Sequence, residues 1–381
     1  MRILHVINIF FSTSYLGDQF KYFSEKGYKQ YLICSPSENL REYSQRQKIE
    51  YTEMMIMRKI SLFNDLLSVF KICKYISKNK IQIVVGHTPK GALLAMMSGY
   101  LMNVPKRIYF RHGLVYETMT GFSRKLMITI DRITAYLATQ IVCVSPSLAE
   151  KSIQDGLNSP KKQLVLGFGT CSGIDAVKKF NPQNVNYENL NRIRNSLGFQ
   201  SEDFVVGYCG RLVVDKGIVN LVNGFNILKS QMPFQKLKLL LVGDFEERDK
   251  LPIDIVEEIR SNQDIIYTGF IYDSIENYYA LMNVFILPSY REGFGIVSLE
   301  AASMEIIVLT TNVTGCKDAI QEGETGFFIT NDPYGIALGI KNVIENPNVR
   351  EIGKNGRKMV LDKFENNIVW PLIEHELYLK R

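Results

Sequence analysis

Short runs of apolar, β-favouring residues recur along this 381-residue chain, separated by longer stretches whose hydrophobic positions fall three and four apart. In the first half, runs at 3–10, 30–34, 81–86, 107–111, 141–144 and 164–166 predict strands. Stretches near 17–26, 62–78, 91–102, 124–138 and 146–155 predict the helices between them. In the second half, strands are predicted at 204–209, 238–242, 265–267, 284–287 and 306–309, again alternating with helices. Near-continuous Val, Ile and Leu in the strands implies parallel sheets covered on both faces. The alternation pauses around 178–201, where Asn, Pro and charged residues dominate, and the domain join is predicted there. The expected fold class is α/β, with two doubly wound Rossmann-like domains facing across a cleft and ligands at the carboxyl ends of strands. The expected boundaries are 1–177, 178–360 and a helix at 361–381, interrupted by Pro371, that returns to the first domain.

Composition narrows the class. With 46% hydrophobic and 22% charged residues, the chain has ample apolar side chain for cores, which excludes disorder as its main state. His5 and Asn8 interrupt the apolar N-terminus and no small-residue cleavage site follows, so a buried first strand is expected there rather than a leader. No apolar run approaches the ~20 residues of a spanning helix. The six cysteines are well separated, as expected of reduced thiols in a cytoplasm.

Charge is unevenly distributed. Residues 1–177 hold 23 Lys and Arg against 12 Asp and Glu, a net +11, whereas residues 178–381 hold 22 against 27, a net −5. A basic first half is expected to meet an anionic partner, and the expectation is peripheral attachment to the inner face of a plasma membrane. The basic, apolar stretches 71–78 and 124–128 are the segments on which that expectation rests. Each also fits an amphipathic helix whose apolar side faces a core.

Two clusters carry candidate chemistry. In the first, the strand at 204–209 runs into Gly210, followed by Arg211, Lys216 and Gly217 at the opening of a helix. A guanidinium fork, a mobile ammonium and the backbone amides of a helix N-terminus together suit a diphosphate. In the second, Glu292, Gly293, Phe294, Gly295, Ile296 and Val297 join the strand at 284–287 to a helix that holds Glu300. The glycines leave amides open to an anion, while carboxylates beside a phosphate make sense when they accept hydrogen bonds from hydroxyls. That pattern points to a polyhydroxylated, phosphorylated ligand such as a sugar nucleotide.

G-R-L-x-x-x-K-G at 210–217 and E-G-F-G-x-x-x-x-E at 292–300 resemble the signatures of family-4 retaining glycosyltransferases with the GT-B fold. Gly86-His87-Thr88-Pro89-Lys90-Gly91, Arg111-His112-Gly113-Leu114 and Val142-Cys143-Val144-Ser145-Pro146-Ser147 extend the likeness over essentially the whole chain. They resemble the branch that assembles bacterial capsules, exopolysaccharides and O-antigens. The resemblance implies transfer of a sugar from a nucleotide donor, expected to be UDP-linked, to a lipid-linked or oligosaccharide acceptor. Arg211 and Lys216 would bind the donor diphosphate, helped by the amides around Phe294–Val297. Glu300 would accept from ribose hydroxyls, Glu292 would contact the transferred sugar, and His112 would face that sugar. Gly243 and Ile271 would line the base pocket. Where the family usually carries a glycine pair near the phosphate, the loop at 11–17 has Gly17 alone.

No D-x-D motif occurs, Asp244-Phe245-Glu246 being the nearest carboxylate pair, so neither a metal nor another cofactor is expected. A GT-B sugar-nucleotide epimerase or hydrolase, or a Rossmann-type nucleotide-binding protein without catalysis, are the alternatives. A nucleic-acid partner is not expected, because aromatic and basic residues do not interleave in a recognition motif.

Overall fold

The computed structural model describes residues 1–59 and 61–380. The chain divides into two compact units, one of Met1–Gly173 together with the segment from Asn367 onward, the other of Ile174–Asn366.

The first unit is built on β1 (Arg2–Val6), β2 (Lys29–Cys34), β3 (Glu50–Glu53), β4 (Ile83–Gly86), β5 (Lys106–Arg111), β6 (Gln140–Cys143) and β7 (Gln163–Leu164). These form one sheet in the order β3-β2-β1-β4-β5-β6-β7, and every pairing is parallel. The second unit is built on β8 (Phe204–Cys209), β9 (Leu237–Val242), β10 (Ile265–Gly269), β11 (Val284–Leu287), β12 (Ile307–Thr311) and β13 (Gly326–Ile329). Its order is β10-β9-β8-β11-β12-β13, again all parallel. In each sheet the winding reverses beside one central strand, β1 in the first and β8 in the second. In open α/β sheets ligands bind outside the carboxyl ends of the strands at such a reversal.

Two strands escape the hydrophobic pattern. β3 (Glu-Tyr-Thr-Glu) lies at a sheet edge with a charged residue at each end, and β13 (Gly-Phe-Phe-Ile) follows a tight turn. β1 stops at Val6 rather than continuing to Phe10, because Phe10–Leu16 winds into a 3-10 segment.

The boundaries also move. The first unit ends at Gly173 rather than at residue 177, and the expected join at 178–201 lies inside the second unit. Its polar residues serve helix Tyr187–Ser196, whose N-terminus is capped by the Asn186 side chain accepting from the Asn189 amide at 3.0 Å. Residues 361–366 belong to the second unit, as the end of helix Val349–Lys363 and the turn after it. Pro371 does not interrupt the returning segment. It sits inside helix Asn366–Ile373, which continues into a π-helical turn, Glu374–Leu379. Trp370 donates to the Ser172 carbonyl at 2.6 Å, and Leu377 and Tyr378 are buried in the first unit.

Candidate functional site

In the second unit, the loops after β8 and β11 are pressed together by close backbone approach. A Cβ on Gly217, whose φ is +73°, would stand 2.0 Å from the Pro288 carbonyl oxygen. One on Gly243 would stand 1.9 Å from the Gly210 carbonyl oxygen, so the turns leaving β8 and β9 touch through two glycines. Tyr290 N donates to the Asp215 carbonyl at 3.0 Å, and Arg291 pairs with the Asp215 carboxylate at 2.9 Å.

This clasp brings Lys216 and Glu292 together. Lys216 Nζ lies 2.5 Å from Glu292 Oε1, and Ser289 donates to the same oxygen at 3.1 Å. The Lys216 and Glu292 side chains are 12% and 18% exposed, so the pair is largely shielded from water and its attraction little screened. Glu292 was expected at hydroxyls of a transferred sugar. In the structure it holds the Lys216 ammonium.

Arg211 stands apart from Lys216. It is half exposed and pairs with Glu246 at 3.0 Å, so the two cations expected on one diphosphate have separate carboxylate partners. Helix Ile296–Ser303 begins after Gly295, at φ +72°, with no side-chain cap. The amides of Ile296 and Val297 are in the helix's first turn, where backbone N–H groups lack intrahelical acceptors. Phe294 is buried against Phe364 with ring centroids 5.4 Å apart, so its side chain anchors the loop. A Cβ on Gly315 would lie 2.4 Å from the Glu292 carbonyl oxygen and 2.7 Å from Gly293 C, which shows how firmly this loop is seated.

Glu300 accepts from the Tyr279 hydroxyl at 2.7 Å, and burial pushes its carboxyl above the usual range. Gly243 N donates to the Gly269 carbonyl at 2.9 Å, and half-buried Ile271 follows that turn. Asp244 is taken by the Tyr267 hydroxyl at 2.9 Å and Glu246 by Arg211. Among the described residues no three His, Cys, Asp or Glu side chains cluster with metal-site geometry.

In the first unit, the carboxyl ends of neighbouring strands β1, β4 and β5 each supply a histidine. His5 lies in β1, and His87 and His112 follow β4 and β5. His5 Nδ1 lies 3.0 Å from His87 Nε2, and His87 Nδ1 lies 3.0 Å from His112 Nε2. Burial lowers all three, His5 and His112 to about 3 and His87 well below its ordinary value, so the string is uncharged at neutral pH. The Tyr15 ring stacks on His112 at 4.6 Å. Gly17, at φ +51°, closes the Phe10–Leu16 segment beside Ser172. Arg111, adjacent to His112 in sequence, is wholly buried and pairs with Asp131 at 2.5 Å. It holds the strand end in place and has no solvent-facing role. His5, His87 and Tyr15 were not singled out from the sequence, although a histidine at the end of each of three core strands was a signal.

The chain is similar to known proteins in sequence and fold. The family described as "Glycosyl transferases group 1" matches residues 190–359, and "Glycosyl transferase 4-like" matches residues 2–145. The chain is 34% identical over 376 residues to the capsular polysaccharide biosynthesis glycosyltransferase CapM of Staphylococcus aureus, covering 98% of this chain and 96% of that one. It is 26% identical over 340 residues to the Escherichia coli UDP-Gal:alpha-D-GlcNAc-diphosphoundecaprenol alpha-1,3-galactosyltransferase, covering 89% and 85%. Anabaena HepE, crystallised with UDP and glucose, superposes with a TM-score of 0.81 over 100% of both chains at 18% identity. That last likeness is one of fold, the GT-B fold expected from the sequence.

Proposed function

Since the chain belongs to the group 1 glycosyl transferases, we propose that it moves a sugar from a UDP-linked donor to a lipid-linked saccharide in bacterial surface polysaccharide synthesis, retaining the anomeric configuration. The observation that carries this reading is the Lys216–Glu292 pair, set beside the uncapped start of helix Ile296–Ser303. It is a cation and a row of amides for the donor diphosphate, with a carboxylate that is freed as the anion takes the cation over. The lipid-linked acceptor and the α linkage are supported by the activity named for the E. coli relative. In the transfer, the acceptor hydroxyl oxygen bonds to the anomeric carbon as the bond to the donor phosphate breaks. The nucleoside diphosphate leaves with the electron pair, and the hydroxyl proton passes to it. Lys216, Arg211 and the helix amides stabilise the charge that develops there, the work a divalent cation does elsewhere. His112 serves as a hydrogen-bonding group for the sugar.

UDP should raise the thermal midpoint by several degrees at saturating concentration, UMP much less and uridine not at all. Equal stabilisation by all three would place the affinity in the base and contradict the diphosphate reading.

The acceptor's lipid also locates the enzyme. No helix among the described residues is long and apolar enough to cross a membrane, yet helix Leu62–Asn79 leaves Leu62, Phe63, Leu66 and Phe70 exposed at 63–79%. Arg58, Lys59, Lys71 and Lys74 lie beside them and are exposed too. Within 71–78 the apolar residues Ile72 and Ile76 are buried, so that stretch contributes lysines, and the apolar surface lies one to three turns earlier. Apolar rings among cations suit the interface of an anionic bilayer. The protein should co-sediment with anionic liposomes at low salt and leave them at high salt, and joint Phe63→Ser and Phe70→Ser should weaken binding about tenfold or more. Identical sedimentation with neutral and anionic liposomes would defeat the membrane reading and leave the transferase reading standing.

A further inference from the structure

The three-imidazole string in the first unit is more than a polar inclusion in the core. We propose that His87 and His5 are positioning residues that fix His112 as the tautomer with its proton on Nδ1, so that it presents a hydrogen-bond donor to a substrate hydroxyl. The inference rests on the proposed role of His112 toward the sugar.

A neutral imidazole has one donor and one acceptor nitrogen, so two contacts at 3.0 Å in series make the three rings a single unit. If His5 donates from Nδ1, then His87 accepts at Nε2 and donates from Nδ1, and His112 accepts at Nε2 and keeps its proton on Nδ1. If the order reverses, every proton moves to Nε2, and His112 Nδ1 becomes an acceptor. No intermediate arrangement satisfies both contacts.

The inner end decides between the two orders. His5 Nε2 is buried and has no hydrogen-bond partner, and neither does the Gln30 side chain beside it. An orphaned buried N–H is costlier and rarer than an under-satisfied acceptor, which favours a bare Nε2 on His5. This places the His5 proton on Nδ1 and hence the His112 proton on Nδ1.

The ionisable groups acting on the string are its own rings, and burial keeps them neutral. A neutral donor with a fixed direction discriminates how a sugar hydroxyl is turned, whereas a freely exchanging imidazole does not. Phe110 packs on His87 and His112 with centroids 5.1 and 5.8 Å away, and Tyr15 lies on His112, which hold the ring planes.

The test is ¹⁵N NMR of the full-length protein with labelled histidine, joined to steady-state transfer kinetics. At pH 7.5 the wild type should show His112 protonated at Nδ1 and bare at Nε2. His87→Asn, whose amide can replace Nδ1 against His112, should keep that signature. His87→Phe should lose it, lower kcat about 10- to 100-fold with little change in donor KM, and add an inflexion to the pH profile as His112 is released to titrate. A wild-type His112 carrying its proton on Nε2, or a His87→Phe enzyme with unchanged kcat and pH profile, would overturn the proposal. If the protein transfers no sugar at all, the functional reading fails, and the NMR arm still decides the tautomer on its own.

Discussion

Lys216→Ala should lower kcat/KM for the nucleotide sugar by about 10²- to 10³-fold, the loss expected when a preorganised cation is removed from a developing negative charge. The substitution also leaves Glu292 without its ammonium in a largely shielded position, so some stability is lost as well. The kinetics are therefore read well below the variant's own melting temperature. Arg211→Ala should act in the same direction and cost about 10²-fold, with less effect on folding. Its guanidinium is half exposed, and its Glu246 partner can be hydrated when the arginine is removed. Steady-state rates of nucleoside diphosphate release, measured alongside circular dichroism of each variant, check both. A folded Lys216→Ala enzyme with wild-type turnover would remove the residue from the diphosphate site.

Stability should fall steeply as the solution is acidified from pH 6.5 towards 5. His5 and His87 are 1% and 0% exposed, and burial holds His5 at about 3 and His87 well below 6.5. Their folded-state values are depressed, so below pH 6.5 the unfolded chain binds protons that the folded chain refuses. The stability present above pH 6.5 is lost as pH falls towards the folded values. At pH 5.5 the His5 ring alone costs roughly 1.4 kcal/mol relative to neutral pH, and His87 adds to the loss in the same direction. Denaturant melts at half-unit intervals between pH 7.5 and 5 measure the slope, and a flat profile would show that the rings are not buried as neutral imidazoles.

Much of the scaffold was legible because parallel strands are nearly uniform apolar runs, and eleven of the predicted runs coincide with strands of the two sheets. β3 was hidden because an edge strand with Glu50 and Glu53 at its ends shows no such run. The join was misplaced because polar composition marks a solvated helix, here Tyr187–Ser196, as readily as a linker. At the site, the motifs put Lys216 and Glu292 on loops leaving strands, but not into contact. That contact depends on β8 and β11 being neighbours in the sheet and on Gly217 passing under Pro288, which no local pattern encodes. Arg111 appeared in the sequence only as part of the motif around His112. Successive residues at a strand end point opposite ways, and it turns into the core to meet Asp131. His5 was legible only as an interruption in an apolar N-terminus. Its partners are 82 and 107 residues away in the chain, and only the order β1-β4-β5 aligns them.

The most direct test of the account is a transfer assay. Purified protein, a panel of UDP-sugars and a short-chain prenyl-diphosphate-linked saccharide are incubated with EDTA, and the product is read by mass spectrometry and anomeric proton NMR. The account predicts that one UDP-sugar is consumed only when the acceptor is present, with one UDP released per sugar transferred and an α-linked product formed. Consumption or isomerisation of a UDP-sugar at the same rate without acceptor would contradict it and identify the chain as a hydrolase or epimerase.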